Sequence, residues 1–168
     1  INEFIKSGLL FNENISVQTL VNIKSTKKDE IFNEAKLELR ILNGKISFDK
    51  SVFINNNIGL MEISNSDLFL DNDKLFLSSN LSIDIKDIDK LYSFLNTSKN
   101  SRKNIRNIKL NIIYDFLSNQ IELKNIKIND NDVSSQFNNI AEGFIDINSN
   151  NLTKSRKLLN ELINLYDG

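Results

Sequence analysis

Residues 74–85 read Lys74-Leu75-Phe76-Leu77-Ser78-Ser79-Asn80-Leu81-Ser82-Ile83-Asp84-Ile85. Leu75, Leu77, Leu81, Ile83 and Ile85 share one parity; Ser78, Asn80, Ser82 and Asp84 share the other. A period of two puts the two sets on opposite faces of a strand. The same unit recurs on both sides. Residues 37–48 carry Leu37, Leu39 and Ile41, then Asn43-Gly44, then Ile46 and Phe48. Residues 68–75 carry Leu68 and Leu70, a turn at Asp71-Asn72-Asp73, then Leu75. Residues 108–123 carry Ile108, Leu110, Ile112, Tyr114 and Phe116, a turn near Ser118-Asn119, then Ile121 and Leu123. Repeated strand, tight turn and strand predict a mainly β chain with a curved antiparallel sheet, apolar on one face. That sheet is either an open groove or a half-closed sandwich.

Further strands are predicted at 14–24, 31–42, 45–54, 106–117, 120–129 and 143–148. Two short ones, 58–63 and 67–71, are expected to be separated by Asn65-Ser66. Asn43-Gly44 is a strong hairpin signal, because both central positions of a type I′ turn need positive φ. Residues 45–54 are read as one strand with Ile46, Phe48, Val52 and Ile54 inward. The apolar parity shifts between Leu123 and Ile126, which predicts a β-bulge near Lys124-Asn125. Two segments change period. Ile88, Leu91, Tyr92 and Leu95 predict a short helix near 87–96 with Asp87 as N-cap. Leu158, Leu159, Leu162, Leu165 and Tyr166 predict a C-terminal helix near 153–166, capped by Thr153, that covers the sheet.

The 168 residues suit one domain, or a fragment of a longer repetitive β-sheet protein. Lys plus Arg total 21 and Asp plus Glu 22, for a net charge of -1. Such a balance argues against nucleic acid as a partner. The chain has no Cys and no His. The commonest general base, the commonest metal ligand and the thiol nucleophile are therefore all missing, and neither an enzyme nor a cofactor is expected. Asp71-Asn72-Asp73 starts like a calcium loop, but Phe76 and Ser82 stand where Gly and Glu are needed; a turn is the better reading. The abundance of Asn, Lys and Ile is the bias of an AT-rich genome, so the runs 55–57 and 148–151 read as polar loops. No apolar run approaches the ~18 residues of a membrane helix. The chain starts with Ile1, so an excised piece is expected, with any anchor upstream.

Several runs resemble the AsmA-like family of Gram-negative envelope proteins, relatives of TamB and of the bridge-like lipid-transfer proteins. They are Leu42-Asn43-Gly44-Lys45-Ile46-Ser47-Phe48, the strand Leu75 to Ile83, the helix Asp89-Lys90-Leu91-Tyr92-Ser93-Phe94-Leu95, and the hairpin from Ile108 to Ile126. The similarity covers about residues 31–147. It implies a body on the periplasmic side of the inner membrane, held by an upstream anchor, with a hydrophobic groove that accommodates or transfers phospholipid or another acyl lipid and supports outer-membrane assembly. The residues expected to line the groove are Leu75, Leu77, Leu81, Ile83, Leu110, Ile112, Tyr114 and Phe116. The alternative is a structural or adhesive β-repeat module that buries the same rows.

Overall fold

A computed structural model of the protein describes residue 8 and residues 11–25, 31–133 and 152–166. It is mainly β, as the alternation predicts: one antiparallel sheet of nine strands, with two helices. The strands are β1 (Ser16–Lys24), β2 (Glu34–Leu42), β3 (Lys45–Ser47), β4 (Val52–Asn55), β5 (Gly59–Asp71), β6 (Lys74–Ile85), β7 (Asn107–Asp115), β8 (Gln120–Ile128) and β9 (Asn131–Asp132). They are laid down in sequence order, with β3 and β4 sharing the place between β2 and β5. Helix α1 (Ile88–Leu95) follows β6, and helix α2 (Leu152–Leu165) closes the described chain. The predicted strand at 143–148 lies outside the described residues.

Register keeps the apolar rows in phase across the sheet. Leu37 faces Val21, Ile41 faces Ile46, Met61 faces Ile83, Leu81 faces Leu110, and Ile112 faces Leu123. Opposed residues in antiparallel strands present side chains to the same face, so one face is apolar from β1 to β8. The other face is mostly polar. There Asn111 Nδ2 donates to Asn80 Oδ1, and Asn125 Nδ2 donates to Asn111 Oδ1 at 2.9 Å, an amide ladder across three strands.

Two bulges set this register, and two readings of the sequence are corrected here. Residues 59–71 form a single strand, β5, and Asn65-Ser66 is a bulge within it: Ser64 pairs with Asn80 but Asp67 with Ser78. Beside it, the expected strand 45–54 breaks into β3 and β4 at Asp49-Lys50, where Lys50 has φ +67°. The two irregularities are tied together. Asp49 Oδ1 accepts from the Ser66 backbone N–H and hydroxyl, both at 2.7 Å, and Phe48 N donates to Ser66 Oγ at 2.6 Å. The extra residue reverses parity. Phe53, paired with Ala35 and Met61, is therefore inward, and Val52 and Ile54 are outward. The bulge expected at Lys124-Asn125 is present: Asn111 pairs with Lys124 and Lys109 with Lys127, with Asn125 at φ +51°.

Asparagine, not glycine, makes most of the tight turns. Among the described residues ten non-glycine positions have positive φ; seven are Asn and two are Asp. Asn and Asp tolerate the left-handed region because a short polar side chain bonds locally. Asn43-Gly44, Asn72-Asp73 and Asn129-Asp130 supply the paired positive φ of primed hairpin turns. Asn43, Asn72, Asn119 and Asn125 stand at positions that the sequence reading assigned to turns or a bulge, and all four have positive φ.

Two apolar clusters lie on the inward face. One joins Ile46, Leu68 and Leu75 with Phe11 and Phe48 packed against them. The larger joins Tyr92, Leu95, Ile105, Ile126, Ile128, Val133, Ile163 and Tyr166 beneath the two helices. Ser79, buried with no hydrogen-bond partner for its hydroxyl, interrupts the β6 row between Leu77 and Leu81.

Candidate functional site

The helices roof one end of the apolar face. Asp87 accepts from Lys90 N at 3.0 Å, capping α1 as predicted, and Asn96 ends it in the left-handed conformation, φ +57°. Amphipathic spacing turns Tyr92 and Leu95 down onto the sheet. Helix α2 begins at Leu152, so Thr153 lies within its first turn instead of capping it. Ile163, which the expected stripe omitted, is buried, as is Tyr166; the side chains of Leu158, Leu162 and Leu165 lie outside the described residues.

Polar bonds at its margins hold the roof. Tyr92 Oη donates to Lys103 O and accepts from Lys103 N at 2.7 Å. Burial pushes its phenol above the ordinary value, against the Lys103 backbone bond and the Arg102 charge, which pull it down. The Arg102 guanidinium lies 5.5 Å from the Tyr92 ring centre, and that of Arg156 lies 4.5 Å from Phe94. Tyr166 Oη accepts from Asn129 Nδ2 at 3.2 Å and Asn131 Nδ2 at 3.3 Å. Asn160 joins the helices: its Nδ2 donates to Leu95 O at 2.8 Å, and its Oδ1 accepts from the buried Thr97 hydroxyl. Asn160→Ala leaves both of those groups unpaired at a buried helix end. The expected loss is about 1–3 kcal/mol, read by urea denaturation, with faster amide exchange in α2 than in β6.

Between roof and sheet is a cavity of about 330 Å³. Leu91 and Leu95 of α1 and Leu159 and Ile163 of α2 form its upper wall. Leu81, Ile83, Leu110, Ile112, Leu123 and Ile126 are among its floor residues, and Ile31 and Phe32 belong to its wall. Phe32 packs on Phe53 with ring centres 5.5 Å apart. Asn55 is one of two polar side chains in the lining, the other being the exposed Asp84. Its amide is already used: Nδ2 donates to Ile31 O at 2.8 Å, and Oδ1 accepts from Asn57 N and Ile58 N at 3.0 and 3.1 Å. A wall of hydrocarbon whose interior amide is already bonded favours an apolar occupant and offers little to a polar one.

Seven of the eight residues expected to line a groove share one face of β6 and β7, Phe116 follows the end of β7, and the eight divide. Leu81, Ile83, Leu110 and Ile112 line the cavity. Leu75 is buried in the Ile46–Leu68 cluster, with Leu77 packed against it. Tyr114 and Phe116 stack edge to face at 4.7 Å at the sheet end, where Tyr114 Oη donates to Asn119 Oδ1 at 2.9 Å and Phe116 is 44% exposed. Sequence reasoning missed Ile31, Phe32 and the helix side chains as lining, because nothing in alternation says where a helix lands.

Among the described residues no group of three or more Asp or Glu is placed to hold a metal ion, and no helix is long and apolar enough to cross a membrane. The turn reading of Asp71-Asn72-Asp73 holds, since Asn72 and Asp73 both have positive φ between β5 and β6. No family model, no curated protein and no solved structure matches the chain.

Proposed function

We propose that the chain is a segment of an AsmA-like envelope protein and that its cavity seats an acyl chain of a phospholipid or other acyl lipid. In that setting the body faces the periplasm, an anchor elsewhere in the protein holds it to the inner membrane, and lipid passage supports outer-membrane assembly. The observation that carries the reading is the 330 Å³ apolar cavity between the helices and the sheet. Ligand sites span roughly 300–1,000 Å³, so this one suits a single chain and not both chains of a phospholipid. The half-buried face beyond it, through Leu77 and Tyr114, supports the second chain. Each buried methylene contributes about 0.8 kcal/mol, and the costs of association offset much of the sum. An association constant on the order of 10⁴ M⁻¹, that of one myristoyl chain for a bilayer, is the expected scale.

Leu81→Phe tests this, because it fills the cavity without burying a charge. Binding of a fluorescent fatty acid is expected to weaken about tenfold, the loss of one to two buried methylenes, while the melting temperature holds or rises. Leu77→Phe, outside the cavity lining, should bind the probe as the parent does. No probe or phospholipid uptake by the parent chain at millimolar ligand would sink the lipid reading and favour the structural module.

A further inference from the structure

We propose that β1 is an assembly edge, pairing antiparallel with β1 of a second copy of this chain across a two-fold axis at Leu20. The proposal rests on the edge strand and is independent of what the cavity holds. Among the described residues β1 pairs with β2 alone, and all nine of its residues are exposed. Leu20 is 64% exposed. It stands on the polar face, where Gln18 Nε2 donates to Glu38 Oε1 and Arg40 reaches the same carboxylate.

The two edges of the sheet are finished differently. Among the described residues β9 pairs with the Lys127–Ile128 end of β8, and that strand carries Glu122, Lys124 and Lys127, an ion pair between the first two at 2.9 Å, and a bulge. Charges, bulges and short covering strands are the means by which sheets prevent edge-to-edge pairing. The β1 sequence, Ser-Val-Gln-Thr-Leu-Val-Asn-Ile-Lys, has one charge, at its end, and neither Pro nor Gly. Its nine-residue ladder with β2 runs without a register shift.

The strand is also self-complementary. A two-fold perpendicular to the sheet opposes residues whose numbers sum to a constant. With Leu20 on the axis, Ser16 faces Lys24, Val17 faces Ile23, Gln18 faces Asn22, and Thr19 faces Val21. All nine residues then pair, the apolar faces of the two sheets join in phase, and no like charges are opposed. The one apolar side chain on the outer face of β1 meets its own copy. Such a contact is isologous and closes as a dimer. Its edge is small beside a standard interface, so dissociation on the order of micromolar is expected.

The chain lacks Cys, which makes crosslinking a clean test. Opposed residues of antiparallel strands have Cα atoms about 4.5–5.5 Å apart, within the ~4.4–6.8 Å of a disulfide. Leu20→Cys should crosslink under mild oxidation at least about tenfold faster than Leu42→Cys, given millimolar effective concentration in the dimer against micromolar protein. Leu42 is the control because it is 48% exposed on the neighbouring strand and the same face. Sedimentation should show a concentration-dependent dimer in the parent, a monomer in Leu20→Lys, and recovery when Leu20→Lys is mixed with Leu20→Glu. A parent that stays monomeric at hundreds of micromolar would overturn the proposal. A dimer in which Leu20→Cys crosslinks no faster than Leu42→Cys, or in which the mixed charges restore nothing, would overturn it equally.

Discussion

Replacing Tyr92 by Ala is expected to remove about 3–5 kcal/mol of stability and to abolish binding of an acyl probe. Tyr92 is 2% exposed, at the centre of the cluster beneath the helices. Its ring presses α1 onto the sheet, and its hydroxyl meets both backbone groups of Lys103, fixing the loop that returns to β7. Truncation leaves a void under the roof and two half-buried backbone groups of Lys103 without their partner. Tyr92→Phe keeps the packing and loses only the hydroxyl, so about 1–3 kcal/mol is expected. Leu75→Ala makes the control. It damages the Ile46–Leu68 cluster, costing about 2–5 kcal/mol, yet it should leave the probe site intact because Leu75 is not in the cavity lining. Urea denaturation and probe titration on the three variants separate the two clusters. Equal loss of binding in Leu75→Ala and Tyr92→Ala would show that the halves of the sheet do not act separately. The phenol also sets an alkaline limit. Its folded value is raised, chiefly by burial, so its contribution is complete below the ordinary phenol value and is lost as pH rises through the raised one. Tyr92→Phe should unfold less steeply with pH in that window than the parent does.

Gly59→Ala is expected to cost about 1–3 kcal/mol although it adds only a methyl group at the end of a strand. A Cβ at Gly59 would lie 2.1 Å from Asp84 O and 3.1 Å from Ile85 Cα, and Gly59 has φ +156°. The obstructing atoms are backbone, so no side chain can rotate away. The β5–β6 ladder must open at Gly59↔Ile85, where the Ile58 carbonyl also receives Lys86 N at 2.8 Å. Glycine in a strand interior often marks such close backbone approach. Ile58 and Gly59 belong to the cavity lining, so probe binding should fall with stability. Gly8→Ala separates the two causes, since a Cβ there meets nothing within 4 Å and only its φ of +67° is strained. A melting temperature for Gly59→Ala within a degree of the parent's would show that the strand end yields freely.

The alternation in 74–85 and 106–117 was legible because a half-buried strand writes its two faces into every second residue. Those segments became β6 and β7 within a residue or two. Asn43-Gly44 and the parity shift near Asn125 were legible for a similar reason: positive φ and an inserted residue leave local marks. The break at Asp49-Lys50 left none that could be read. It is matched to the bulge at Asn65-Ser66 on a strand far along the chain, and the Asp49–Ser66 bonds exist only once β3 and β5 are adjacent. A reading of 45–54 in isolation therefore put Val52 and Ile54 on the wrong face.

The eight apolar positions chosen for the groove show the same division. Parity placed all of them on one face of the sheet, and register keeps there the seven that lie in β6 and β7. Which four border a cavity depends on where α1 and α2 land, and that landing is set by Tyr92 on Lys103, Asn160 on Leu95 and Tyr166 on Asn129. Side-chain period is a property of the local backbone, so it survives in the chain as written. A cavity is a mismatch in volume between surfaces distant in sequence, and it exists only when packing brings those surfaces together.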